Sequence, residues 1–125
     1  MPRLIGAKKK NIAVFISGNG SNLQNLIKFS LKKKSKFVIN LVISNKCKAN
    51  GLNYAKKYKI NKKIINYKKI KNAEKNILNE LKRNKIDLIC LAGFMKILSG
   101  NFIKKFSKPI LNIHPSLLPK YKGLN

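Results

Sequence analysis

The sequence predicts a doubly wound α/β fold built on a mostly parallel sheet. Three observations carry that expectation. Short runs rich in branched apolar residues alternate along the chain with stretches of helical periodicity. Strands that alternate with helices pair in parallel, through right-handed crossovers. One run, residues 86–92, is apolar throughout except Asp87, as expected of a strand covered on both faces.

Taken in order, residues 11–17 predict a buried strand that ends at Gly18-Asn19-Gly20. A helix follows, capped by Ser21 or Asn22 and reaching Lys33, with Leu23, Leu26, Ile27 and Leu31 at helical spacing. Residues 37–44 predict a second strand and 49–58 a second helix, with Leu52, Ala55 and Tyr58 on one side. A short third strand is expected over 63–67. Next comes a helix over 73–84, with Ile77, Leu78 and Leu81 apolar. Residues 86–92 form the fourth strand, 99–106 a short helix and 109–113 a fifth strand. That strand runs into Asn112-Ile113-His114-Pro115. No internal repeat or linker divides the chain, so residues 1–125 are expected to belong to one domain.

Composition narrows the class. The chain has 125 residues, enough for one core. Its hydrophobic share of 44% is that of a globular protein. No apolar run reaches the roughly 18 residues of a membrane-spanning helix, and the N-terminus lacks a secretory pattern. A cytoplasmic protein is expected, with no membrane partner. Cys47 and Cys90 have neither metal-type spacing nor a disulfide framework. Cys90 lies in an apolar run and is expected to be a buried thiol. Lys and Arg total 29 against 3 Asp and Glu, a net charge of +26. Such a field attracts polyanions without sequence preference. A basic nucleic-acid-binding module is therefore a rival class. It predicts basic residues gathered on one face with aromatics among them. Here the lysines spread along the chain, and Tyr54, Tyr58 and Tyr67 sit where packing explains them. No specific nucleic acid is expected as a partner, and RNA retardation surviving only at low salt would report charge alone.

Ligands of a doubly wound sheet bind outside the carboxyl ends of its strands. Three polar clusters fall at such ends: residues 18–22, 93–98 and 112–121. In Ser17-Gly18-Asn19-Gly20-Ser21-Asn22, glycines permit close backbone approach and the following helix offers unpaired N–H groups, an arrangement suited to phosphate. It is neither the dinucleotide fingerprint nor a P-loop, and a tight turn with an N-cap would have the same composition. The last cluster holds the sole histidine of the sequence, His114. An imidazole suits proton transfer near neutrality. The amide of Asn112 can donate to a developing oxyanion. Side chains two apart on a strand share a face, so Asn112 and His114 can address one reacting atom. A lone histidine in a structural role is the competing explanation.

Three stretches together resemble the glycinamide ribonucleotide formyltransferase family. They are Ile16-Ser17-Gly18-Asn19-Gly20-Ser21-Asn22-Leu23-Gln24, Leu91-Ala92-Gly93-Phe94-Met95-Lys96-Ile97-Leu98-Ser99 and Leu111-Asn112-Ile113-His114-Pro115-Ser116-Leu117-Leu118-Pro119. They stand in the family's order, and the resemblance runs from Asn11 to the end. The third alone marks the wider folate formyltransferase and hydrolase group, and the first points to the purine enzyme. The resemblance implies a Rossmann-like formyltransferase fold and formyl transfer from 10-formyltetrahydrofolate to the amine of glycinamide ribonucleotide in purine synthesis. It implies that Gly18, Asn19, Gly20, Ser21 and Asn22 hold the ribonucleotide phosphate. By the same resemblance Met95, Lys96, Ile97 and Leu98 line the folate pocket, with Lys96 where the family often has Arg. Asn112 and His114 match the catalytic pair, and Lys71 is the nearest candidate for a basic folate contact. The implied mechanism requires no metal. Gly20→Val is expected mainly to harm ribonucleotide binding.

The family's third catalytic residue, an Asp downstream of the His, has no counterpart before Asn125. Glu74 and Glu80 are expected to face solvent on their helix, and Asp87 to lie at the opposite end of the sheet from His114. The domain is therefore expected to lack its C-terminal part. A truncated open reading frame or an incomplete gene record would explain this, and so, as the lesser alternative, would a complementing C-terminal chain as partner.

Overall fold

A computed structural model of the chain describes residues 9–113. The elements are β1 (Lys10–Ile16), α1 (Ser21–Ser30), β2 (Phe37–Ser44), α2 (Leu52–Lys57), β3 (Asn61–Ile64), α3 (Ala73–Arg83), β4 (Leu88–Leu91), α4 (Gly100–Phe106) and β5 (Ile110–Asn112). The strands form one sheet in the order β3-β2-β1-β4-β5, and every described pairing is parallel. The chain winds one way from β1 through β2 to β3, then returns across β1 to β4 and β5. That reversal is the switch point of a doubly wound fold.

Residue alternation on β1 divides the core in two. Ile12, Val14 and Ile16 join Leu23 and Ile27 of α1 and Leu52 and Ala55 of α2 on one face. Ala13 and Phe15 join Ile77 and Leu81 of α3 and Phe102 and Phe106 of α4 on the other. Residues 13–16 are fully buried, which explains the unbroken apolar run of this central strand. Full burial of each large side chain stabilises by roughly 1.5–3 kcal/mol. Tyr54 and Tyr58 pack against the first cluster and Tyr67 against the second, so these three are packing residues.

Several boundaries differ from those expected. Helix α1 ends at Ser30 rather than Lys33, and Leu31 just beyond it is 65% exposed, so the apolar face does not continue. Helix α2 begins at Leu52, because residues 49–51 form a turn. The third strand is Asn61–Ile64, two residues before its expected start, and all four residues are exposed. An edge strand lacks the burial that makes strands legible, and its lysines keep the edge solvated. Ile65, by contrast, is buried beyond the strand end.

Glu74 and Glu80 do not simply face solvent. Glu74 Oε2 accepts from Ser99 N at 2.8 Å, and its Oε1 accepts from Ser99 Oγ at 2.6 Å. Ser99 caps α4 in turn, its Oγ accepting from Phe102 N at 3.0 Å. Glu80, with a side chain only 13% exposed, lies 3.4 Å from Arg83 and 4.0 Å from Lys63. Asp87 stands at the amino end of β4, where its Oδ2 accepts from Asn11 N at 2.8 Å. All three described acids are thus occupied in holding elements together.

Cys90 is buried, and burial pushes its thiol up to about 11, whereas Cys47 is exposed. The thiolate is the reactive form. At pH 8 a thiol reagent is therefore expected to label Cys47 rapidly and Cys90 only after denaturation, as read by peptide mass spectrometry. Equal rates at both positions would contradict the packing of β4.

Candidate active site at the carboxyl edge of the sheet

The loop after β1 turns sharply into α1. Gly20 is the N-cap residue, at φ 78°, and no side chain caps the helix. Neither Ser21 nor Asn22 is the cap, as they lie within the first turn. The first intrahelical bond is Gln24 N to Gly20 O at 2.9 Å, so the amides of Ser21, Asn22 and Leu23 precede the helical ladder. The first turn contains no acidic residue. Uncapped amides at the positive end of a helix dipole favour an anion. Gly18, Asn19 and Ser21 are exposed, Asn22 is half-buried and Gly20 is buried.

Gly20 has a second duty. A Cβ at Gly20 would collide with the Gly51 Cα. Gly51 N also donates to Gly18 O at 3.0 Å. The loop therefore rests directly on the backbone at the start of α2, and two facing glycines permit that approach.

The segment after β4 adjoins this loop. Gly93 turns it, at φ 75°. Phe94 packs inward, edge-on to Phe15 at 5.3 Å between ring centroids and tilted against Tyr67 at 6.4 Å. Lys96 Nζ lies 5.4 Å from the centre of the Tyr67 ring, a cation–π contact, and Leu98 packs on the second core cluster. Met95 and Ile97 point outward, 73% and 92% exposed. The alternation leaves two apolar side chains free on a segment anchored by Phe94, Lys96 and Leu98. The Tyr67 hydroxyl is buried with no hydrogen-bond partner among the described residues. Burial, with the nearby Glu74 carboxylate, pushes its pKa up to about 12.

Ser17 joins the two loops. Its Oγ accepts from Met95 N at 2.8 Å and donates to Asn45 Oδ1 just beyond β2. Both side chains are buried. In the sequence Ser17 stands out only as the start of the glycine loop and Asn45 not at all, since nothing local marks partners 28 and 78 positions away.

Asn112 ends β5 opposite Leu91 and is exposed. Ile113 N donates to Leu91 O at 2.8 Å, so the chain continues along β4 past Asn112. Asn112 thus stands beside the strand that leads to residues 93–98. His114 lies outside the described residues, as does the rest of the third cluster. Lys71 is exposed in the loop before α3, the loop that also carries Tyr67. A cavity of about 350 Å³ at this edge is lined by residues including Asn45, Lys46, Tyr67, Lys68 and Lys96. Concavities of about 490 and 670 Å³ open toward the amino ends of the strands, away from these loops.

Fold and loops together define a doubly wound α/β protein with an anion-ready helix terminus beside an apolar segment. Comparison with known proteins agrees. The formyl transferase family model matches residues 10–125, and the chain belongs to that family. It is 46% identical to phosphoribosylglycinamide formyltransferase of Haemophilus influenzae over 119 residues, which are 93% of this chain and 56% of that protein. It is 48% identical over 121 residues to the human trifunctional purine biosynthetic protein adenosine-3, covering 94% of this chain and 12% of that protein. The crystal structure of phosphoribosylglycinamide formyltransferase from Brucella melitensis superposes with a TM-score of 0.83 at 41% identity. That match covers 94% of this chain and 62% of the Brucella chain. The sequence thus spans little more than half the length of its single-function relatives.

Proposed function

We propose that the protein transfers a formyl group from 10-formyltetrahydrofolate to the amine of glycinamide ribonucleotide, a step of purine synthesis. One observation carries this assignment: the uncapped N-terminus of α1 is tied through Ser17 to the segment bearing Met95 and Ile97. A phosphate would be held by the amides of Ser21, Asn22 and Leu23, with Gly18 and Gly20 leaving room for it. The exposed side chains of Met95 and Ile97 offer an apolar surface to a flat ring, and Lys96 adds a positive charge for a folate carboxylate. Lys71 is a second basic contact. Bound 10-formyltetrahydrofolate would supply the formyl carbon.

The amine nitrogen bonds to that carbon, and the bond from the carbon to the folate nitrogen breaks. Negative charge gathers on the formyl oxygen meanwhile. The Asn112 amide and protonated His114 donate to that oxygen. His114 assists the proton that leaves the amine to reach the folate nitrogen. An Asp on a stretch of domain beyond residue 125, or on a complementing chain, would support the imidazolium, since an opposite charge favours the protonated form. No step needs a metal. The substrates are small cytoplasmic molecules, and the protein is assigned to that compartment. Among the described residues no helix is long and apolar enough to cross a membrane.

Calorimetric titration with glycinamide ribonucleotide tests the phosphate assignment. Binding is expected, with inorganic phosphate as a weak competitor. Equal affinity for the dephosphorylated ribonucleoside would contradict it.

A further inference from the structure

The Ser17 hydroxyl occupies an unusual position. Ser17 as a residue is 5% exposed, just past the carboxyl end of the central strand, and its hydroxyl both donates and accepts across the fold. As acceptor it takes the Met95 amide, the first outward-facing residue of the apolar segment. As donor it meets Asn45, itself 8% exposed. Ser17 also directly precedes Gly18, whose carbonyl accepts from Gly51 N at 3.0 Å. A single oxygen therefore links the loop after β1, the loop after β2 and the segment after β4.

We infer that Ser17 is a positioning residue that fixes the distance between the ribonucleotide loop and the Met95-bearing segment, with Asn45 setting the direction of its hydroxyl. This rests on the formyl-transfer assignment above. Two substrates held on separate loops react only if those loops keep their spacing, and a misplacement of about 1 Å can cost about a hundredfold in rate. A hydroxyl that both donates and accepts holds that spacing from two sides. Asn45 removes the alternative rotamers in which Ser17 would release the Met95 amide. Buried and bonded in this way, Ser17 touches neither substrate.

The test compares the wild-type protein with Ser17→Ala, Asn45→Ala and the double variant in steady-state formyl transfer. Ser17→Ala is expected to lower kcat at least about tenfold while the ribonucleotide KM stays within about threefold, since spacing and not phosphate binding is lost. The double variant is expected to match Ser17→Ala, because both act through one contact. Amide exchange at Met95 is expected to quicken at least about tenfold in Ser17→Ala. Should that variant fail to fold, Asn45→Ala carries the same kinetic and exchange readouts. Unchanged kcat, a loss confined to KM, or strictly additive effects would overturn the role of Ser17 while leaving formyl transfer standing. Absence of transfer by the wild-type protein supplied with the rest of its domain would overturn both.

Discussion

Gly20→Val is expected to destabilise the whole protein, by roughly 2–5 kcal/mol, rather than merely to weaken ribonucleotide binding. Two costs add. At φ 78° the residue sits in the left-handed region, which a β-branched side chain resists. Its Cβ would also meet the Gly51 Cα, a backbone atom that cannot swing aside. Separating those backbones would pull the N-termini of α1 and α2 apart and expose Ile16 and Leu23, both fully buried. Sequence reasoning assigned the harm to phosphate binding because the contact with Gly51 was not visible. Gly18 separates the two effects. A Cβ there meets nothing within 4 Å, so Gly18→Ala is expected to keep wild-type stability and report on phosphate approach alone. Urea denaturation of both variants checks this. Wild-type stability in Gly20→Val would contradict the close packing of the two helix starts.

Asn112→Ala and His114→Ala are expected to lower kcat by about 10²–10³-fold and 10²–10⁴-fold, respectively. Asn112 is exposed at the end of β5, the outermost strand on that side among the described residues, and its pairing with Leu91 uses backbone groups alone. Its substitution should therefore leave the denaturation midpoint unchanged. Loss of rate without loss of stability is the signature of a group that acts on the reacting atoms. Rapid-quench measurement of a single turnover reads the chemical step. Near-normal turnover in either variant would remove that residue from the proposed catalytic pair.

Much of the fold was legible because burial leaves a periodic trace. The second strand was read at its true bounds, Phe37–Ser44, since Leu41, Val42 and Ile43 are all buried. The third was misplaced because Asn61–Ile64 is exposed throughout. Gly18–Asn22 and Met95–Leu98 stand out in the sequence as candidate site segments because glycine and apolar residues are conspicuous at strand ends. What joins them does not. Ser17, Asn45 and Glu74 act through partners distant in sequence, and a small polar residue in isolation looks like any turn residue. Glu74 even looked like a solvent-facing charge, although it holds the N-terminus of α4.

Formyl transfer by the intact protein should be measured with 10-formyltetrahydrofolate and three acceptors: glycinamide ribonucleotide, a methionyl-tRNA and water. Formylated ribonucleotide is the expected product, with tetrahydrofolate released in equal amount and neither other acceptor consumed. Formate release without ribonucleotide, or formylation of the tRNA, would place the protein with another branch of its family and contradict the role given to residues 18–22.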